Sequence, residues 1–282
     1  MVQRILYVSD LDGTLLNSQT RLSEFTCKTI NALVEQGMLF TYATARSLTS
    51  ALPVTKGLSP NIPVIGYNGV FLFDPSGEVL HSEQFSQPQI DFLKQCLGQY
   101  SVAPLVYSIQ DGKERVSWIQ GTENEGIRYY LKERQGDPRF CPLTDAERLY
   151  AGQVFYITCI GNQAQLFPVY ERLKEHAEYR CTFQQELYRP EYWCEIMPPK
   201  GTKAHGILHL KERWNCDKVV CFGDAINDIP MFEIADECYA VSNGVNELKT
   251  IATGVIGAND EDGVAKWLLK HAQIPGTRGT IW

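Results

Sequence analysis

Short, wholly apolar runs alternate with stretches in which apolar residues recur every three or four positions. Ile5 to Val8 is a continuous apolar run, the pattern of a strand buried on both faces, and it stops at Asp10. Ser23 then stands as the N-cap of a helix running to about Gln36, with Phe25, Ile30, Leu33 and Val34 at helical spacing and Gly37 to end it. Residues 38–43 and 64–67 read as the second and third strands. Asn68-Gly69 is a turn signal, and residues 70–73 and 79–80, either side of the turn at 75–77, read as a hairpin.

From about Ser82 the rhythm changes. The pattern predicts helices at 88–99, 123–134 and 164–176 and strands near 103–109, 114–119, 154–160, 180–184 and 192–197. Adjacent strands with few helices between them describe a sheet carrying helices on one face. At Pro198-Pro199 the alternation returns: a helix at 202–213, a strand at 218–222, an acidic loop, a helix from about Pro230, a strand at 238–241, a helix at 245–250 and a short strand at 254–256. Asp262 is placed to cap a last helix at 263–271, and residues 275–282 read as a surface extension. The expected fold is α/β: a discontinuous, doubly wound, Rossmann-like parallel sheet core formed by residues 1–81 and 199–282, with an inserted α+β domain at 82–198. There is no internal repeat and no low-complexity segment.

Composition narrows the function. The chain has 282 residues, comfortable for two domains. Its formal net charge of −7, with no cluster of Lys or Arg, argues against nucleic acid or an anionic membrane as partner. The N-terminal apolar run is broken by Asp10 and Asp12 before it reaches the length of a signal segment, and no stretch is long enough to span a membrane. The nine cysteines form no CxxC pair, and Cys27, Cys96, Cys159 and Cys221 sit inside apolar or helical patterns. Buried, reduced thiols in a cytoplasmic protein are the expectation.

Four short segments fall at or beside strand ends, where ligands bind in open α/β sheets. They are Asp10-Leu11-Asp12-Gly13-Thr14, Ala43-Thr44-Ala45-Arg46, Lys203 within Gly201-Thr202-Lys203, and Gly223-Asp224-Ala225-Ile226-Asn227-Asp228. Crowded carboxylates repel unless a cation or a shared proton relieves them. Asp10, Asp224 and Asp228 offer hard oxygens suited to Mg²⁺. Thr44, the backbone N–H groups after it and Lys203 offer donors and positive charge suited to a phosphate. A metal and a lysine around one phosphoryl group supply what phosphoryl transfer needs, since that catalysis is mostly positioning and charge stabilisation.

These four segments, in this order, resemble the motifs of the haloacid dehalogenase superfamily. Tyr67-Asn68-Gly69, the run from Gly223 to Met231 and the large insertion resemble its Cof-type phosphatases, in which the insertion is a cap that selects substrate. The resemblance implies that Asp10 is a nucleophile forming an aspartyl-phosphate. Asp12 would protonate the leaving oxygen and then activate water, its backbone carbonyl also reaching Mg²⁺. Thr44 and Lys203 would hold the phosphate, with the backbone at Gly13 and Ala45 beside it. Asp224 would ligate Mg²⁺, Asp228 would ligate it or orient a bound water, and Asn227 would contact the phosphoryl group or Lys203. Arg46 and Asn68 would face the substrate. An acid at Asp12 goes with phosphatases and mutases of the superfamily, where an ATPase has Thr. Ala45 replaces the usual Gly, and Asn243 in Ser242-Asn243-Gly244 stands near the family's Met-Gly-Asn-Ala. The implied activity is a Mg²⁺-dependent phosphatase of small phosphorylated metabolites, with a phosphomutase or a non-catalytic metabolite-binding protein as alternatives.

Other features read as packing. His205 and His209 share a helix face without an acidic or cysteine partner and read as surface or packing residues, and Tyr129 and Tyr130 read as packing. The polar, aromatic stretch at 188–193 fits either a pocket lining or an edge hairpin.

Overall fold

The structure, a computed structural model, describes residues 3–185 and 189–274; Tyr188 and the stretch 275–282 lie outside the described residues. The chain forms two compact units, residues 1–81 with 201–282, and residues 82–200.

In the first unit the chain runs β1 (Ile5–Ser9), α1 (Glu24–Glu35), β2 (Leu39–Tyr42), α2 (Leu48–Val54), β3 (Val64–Gly66), β4 (Phe71–Phe73) and β5 (Val79–Ser82). The second unit contributes α3 (Gln87–Gln99), β6 (Leu105–Gln110), β7 (Lys113–Ile119), α4 (Glu125–Glu133), β8 (Phe140–Leu143), β9 (Gln153–Gly161), α5 (Gln163–Lys174), β10 (Arg180–Gln185) and β11 (Tyr192–Met197). The first unit resumes with α6 (Lys203–Arg213), β12 (Lys218–Gly223), α7 (Ile229–Ile234), β13 (Glu237–Val241), α8 (Asn246–Ile251), β14 (Gly254–Ile256) and α9 (Gly263–His271).

The first unit is built on a five-stranded parallel sheet in the order β14-β13-β12-β1-β2. The residues of β1 are all buried, as a strand covered on both faces must be. Leu6 and Val8 face a core that includes Ile207 and Leu210 of α6, Met231 and Phe232 of α7 and Leu248 of α8. On the opposite face Tyr7 of β1 and Phe222 of β12 meet Trp267 of α9, with α1 packed alongside α9. This is the doubly wound α/β arrangement expected from the alternation. One expectation is corrected: the strand at 64–67 does not extend the parallel sheet. It pairs with β4 in a separate three-stranded sheet of order β3-β4-β5 and touches the end of β2 through one parallel bridge, Ala43–Ile65.

The second unit is a six-stranded sheet in the order β10-β11-β9-β6-β7-β8, antiparallel except for the β7/β8 pair. Leu93 and Leu97 of α3 and Leu166 and Val169 of α5 pack on Val106, Cys159 and Cys194. The expectation of helices on one face holds for these two and fails for α4. Side chains alternate across a strand, so Tyr107, Ile160 and Trp193 point to the other face. There the Tyr130 hydroxyl lies 2.9 Å from that of Tyr107, its ring lies 5.6 Å from Trp193, and Gly126 lies against Ile160. The residues described from the stretch 188–193 lead into β11, where β10 forms the sheet edge.

Two elements lack a sequence signal. Helix α2 has a Ser47 cap accepting from the Ser50 N–H, but it buries only Ala51 and contains Pro53. Strand β8 is an edge strand carrying Pro142, a residue compatible with an edge because it needs no ladder donor. Asp262 does not cap α9 as expected. It adopts a left-handed φ of 57° and its carboxylate accepts from the hydroxyls of Ser23 and Thr26, the latter at 2.9 Å, tying the two helix starts together. The nine cysteines are free thiols, and no described helix is long and apolar enough to cross a membrane.

Helix α6 lies close to β3 because Gly206 has no side chain; a Cβ there would stand 2.8 Å from Ile65 Cγ2. Alanine gains about 1 kcal/mol of helix propensity over glycine, while overpacking a core costs about 1–3 kcal/mol. Gly206→Ala is therefore expected to lower unfolding stability by about 1 kcal/mol. Gly98→Ala in α3, where nothing lies within 4 Å, is expected to raise it by about 0.5–1 kcal/mol. Chemical denaturation of both variants decides, and a stabilising Gly206→Ala would refute the close approach.

Candidate active site

The acids converge because neighbouring parallel strands end side by side. Asp10 follows β1, and its N–H donates to the Phe222 carbonyl of β12 at 2.9 Å. Asp224 follows β12 directly. Asp228 lies four residues on, wholly buried, and one of its oxygens accepts from the N–H groups of Asp224 and Ala225 at 2.9 and 3.0 Å. Gly223 leaves room for that carboxylate: a Cβ there would lie 2.7 Å from Asp228 Oδ2.

Lys203 is the first residue of α6, capped by Thr202, whose hydroxyl accepts from the His205 N–H at 3.2 Å. Its ammonium is buried and donates to Asp10 Oδ1 and, at 2.7 Å, to Asp228 Oδ1. A lysine at a helix N-terminus opposes the helix dipole, and burial removes its hydration. The two carboxylates supply what the position itself withholds.

Gly13 has φ +78° and lies directly against Asp224; a Cβ would be 2.4 Å from Asp224 Oδ2. Thr14, part of the first motif but given no separate role in the sequence reading, donates its hydroxyl to Asp224 Oδ1 at 2.8 Å. Asn243 donates to the Gly13 carbonyl at 2.8 Å and accepts from the Asn259 N–H at 3.0 Å, while the Asn259 side chain donates to the Leu16 carbonyl at 2.9 Å. Asn259 carried no sequence signal, and its side-chain partner Leu16 comes from the opposite end of the chain.

Thr44 is buried just beyond β2, its N–H donating to Ile65 and its hydroxyl accepting from the Arg46 N–H at 3.1 Å. Ala45 is exposed beside it. Asn68 is buried, its N–H donating to the Thr44 carbonyl at 2.8 Å and its Oδ1 accepting from Asn227 Nδ2 at 3.3 Å. Asp12 stands apart from the three clustered carboxylates. It is half exposed and gripped by Arg46, whose Nε and Nη2 donate to its two oxygens at 2.7 and 2.6 Å. Arg46 thus engages Asp12 in a bidentate fork, the geometry in which guanidinium–carboxylate pairs are strongest.

A family model described as haloacid dehalogenase-like hydrolase matches residues 7–268. The chain belongs to the haloacid dehalogenase-like hydrolases. It is 25% identical over 282 residues to the 5-amino-6-(5-phospho-D-ribitylamino)uracil phosphatase YitU of Bacillus subtilis, covering 95% of this chain and 98% of that protein. The crystal structure of TM0651 from Thermotoga maritima is similar with a TM-score of 0.76 at 26% identity, over 96% of this chain and 98% of that one. The HAD subclass IIB sugar phosphatase BT4131 is similar in fold, with a TM-score of 0.72 at 20% identity, over 93% of this chain and 97% of that one.

In this haloacid dehalogenase-like hydrolase, oxygens of Asp10, Asp224 and Asp228 lie within 4.8 Å of one another. With all three carboxylates ionised against one ammonium, the cluster carries an excess of two negative charges. Burial raises Asp10 well above the usual carboxylate range; Lys203 opposes this, and Asp228 and Asp224 reinforce it. Burial and then the Asp228 charge push Asp224 up to about 6. Burial works against the Lys203 ammonium, but Asp10 and Asp228 outweigh it and hold its pKa above the ordinary lysine value. Asp228 has both oxygens engaged, whereas Asp10 uses Oδ1 for Lys203 and Asp224 uses Oδ1 for Thr14. The second oxygens of Asp10 and Asp224, hard donors on an over-negative cluster, fit a hard divalent cation.

An acid whose pKa rises on folding favours the folded state below its ordinary value of 3.8 and loses that contribution as pH climbs through about 6. A cation needs the carboxylate, so the rise in Tm given by Mg²⁺ is expected to grow between pH 5 and pH 7.5 and to shrink in Asp224→Asn. An increment independent of pH and of Asp224 would contradict this assignment. Lys203→Met, which strands two buried carboxylates, is expected to cost about 3–5 kcal/mol in urea unfolding without added metal. A loss below about 1 kcal/mol would show the lysine to be dispensable to the core.

Proposed function

We propose that this protein is a Mg²⁺-dependent phosphatase that hydrolyses small phosphorylated metabolites, sugar phosphates foremost, through a phosphorylated Asp10. The observation that carries the reading is the buried Lys203 joined to Asp10 and Asp228 beside Asp224, with Thr44 on the adjoining strand end. The carboxylate of Asp10 attacks phosphorus and the ester P–O bond breaks. Asp12 gives its proton to the departing oxygen, then takes one from the water that attacks phosphorus and releases Asp10. The Arg46 fork orients Asp12, and protonating a leaving oxygen requires Asp12 to turn out of that fork. Thr44, the Ala45 N–H and Lys203 hold the phosphoryl oxygens, and Asn227 lies on the same side through its bond to Asn68. Asp10 and Asp224 would hold the metal ion, which when bound would supply charge neutralisation beside the phosphate.

Similarity to a phosphatase named for a ribityl phosphate and to one named for sugars favours a polyhydroxylated phosphate ester. We assign selection among such esters to the inserted unit, residues 82–200, and the protein to the cytoplasm. Phosphoproteins are then poor substrates.

The test is phosphate release from a panel of phosphorylated metabolites. Release is expected with Mg²⁺, absent with EDTA and absent with Asp10→Asn. Asp12→Asn is expected to lower kcat by about 10²–10⁴-fold on alkyl phosphates. Activity that survives Asp10→Asn would refute the phosphorylated intermediate. Product forming only with a bisphosphate activator, with the phosphate moved rather than released, would make the enzyme a mutase.

A further inference from the structure

The turn Tyr67-Asn68-Gly69 lies in left-handed backbone throughout, with φ of +50°, +55° and +106°. Glycine adopts this region freely and asparagine tolerates it, but a tyrosine there is a genuine outlier. Backbone strain of this kind persists only where the surroundings over-determine it. Here the surroundings are the site's own segments. The Tyr67 N–H donates to the Arg46 carbonyl at 3.0 Å, and the Asn68 N–H to the Thr44 carbonyl at 2.8 Å. Asn68 Oδ1 accepts from Asn227 at 3.3 Å. Gly69 lies against the start of α6; a Cβ there would be 1.9 Å from the Thr202 carbonyl, next to Lys203. One strained turn therefore meets the Thr44 segment, the Lys203 helix start and the Asn227 loop.

We infer that this turn is the spacer that sets the distance between the phosphate-holding groups Thr44, Lys203 and Asn227, and that Asn68 is a positioning residue rather than a substrate contact. The inference rests on the phosphatase reading and adds the device that keeps its phosphate pocket at one width. Asn68 is buried, and its side-chain oxygen accepts from Asn227 Nδ2 at 3.3 Å. A side chain acting through Asn227 affects the phosphoryl group, common to all substrates, and leaves recognition of the rest of the molecule untouched.

The test compares Asn68→Gly, Asn68→Asp, Asn227→Ala and the double variant Asn68→Gly/Asn227→Ala in the full chain. Glycine keeps the left-handed backbone and removes the link; aspartate keeps the backbone preference and an acceptor for Asn227. Misplacement by about 1 Å costs up to about 10²-fold in rate, so Asn68→Gly is expected to lower kcat by about 10–100-fold. The factor in kcat/KM should be the same for every active substrate. Asn68→Asp should retain activity to within about tenfold of wild type, and the double variant should be no worse than the more damaged single one. The affinity of wild type for inorganic phosphate, read by calorimetry with Mg²⁺ present, should fall about tenfold in Asn68→Gly, a readout that needs no turnover.

Any of four results overturns the inference: an unchanged kcat, losses that differ between substrates, multiplicative effects in the double variant, or unchanged phosphate affinity. If Asn68→Gly does not fold, Asn68→Asp carries the test, and loss as deep as in Asn227→Ala overturns it. Wild type that binds phosphate but hydrolyses nothing refutes the phosphatase reading alone, and the calorimetric comparison still decides the turn.

Discussion

The site depends on one buried ammonium. Lys203 sits where a lysine is least welcome, at the positive end of a helix and out of contact with water. It is tolerable there only because Asp10 and Asp228 reach it, and they come from sequence separations of 193 and 25 residues. The contact with Asp10 joins the two halves of the core across the whole inserted unit. Asp10 meets its ammonium only when the second half of the core arrives, so completing the core and assembling the site go together.

Topology explains why these acids meet. The chain leaves β1 for α1 on the face that holds α9, and leaves β12 for α7 on the opposite face. Because β1 and β12 are neighbours, their following segments diverge and open a crevice at the carboxyl end of the sheet, the switch point at which open α/β folds bind ligands. Asp10 and Asp224 stand on its two lips. The small side chains near them are what close packing demands: Gly13 lies against Asp224 and Gly223 against Asp228.

Much of this was legible in the sequence, and the reason is local. The parallel strands are continuous apolar runs, α1 carries its cap and its period, and the four motif segments each sit beside a strand end or a helix start. What the sequence withheld depends on partners far along the chain. Asp262 looks like a helix cap because capping is the local use of an aspartate before a helix; its tie to Ser23 and Thr26 requires α1 and α9 to be adjacent. The strand at 64–67 has the apolar content of a core strand, but its pairing with β4 takes it out of the main sheet. Helix α2 and strand β8 bury too little and contain proline, so no period marks them. At the site, the residue types were readable and their pairings were not. Arg46 reads as a substrate contact from its motif, yet its guanidinium closes on Asp12, and Asn68 reads as turn or contact, yet it braces Asn227.

The charge count links these observations. Ionised together, Asp10, Asp224 and Asp228 against Lys203 carry two negative charges in excess, and burial keeps water from screening them. A phosphate ester arriving at such a site adds negative charge to negative charge, and at contact distance in a poorly polarisable interior that repulsion exceeds what Thr44 and a few N–H groups return. The second oxygens of Asp10 and Asp224 would hold a divalent cation, and its charge would cancel that excess. On the proposed phosphatase reading, relieving the acid cluster and admitting a phosphate beside Asp10 are therefore one electrostatic problem, and its solution lies in the carboxylates themselves.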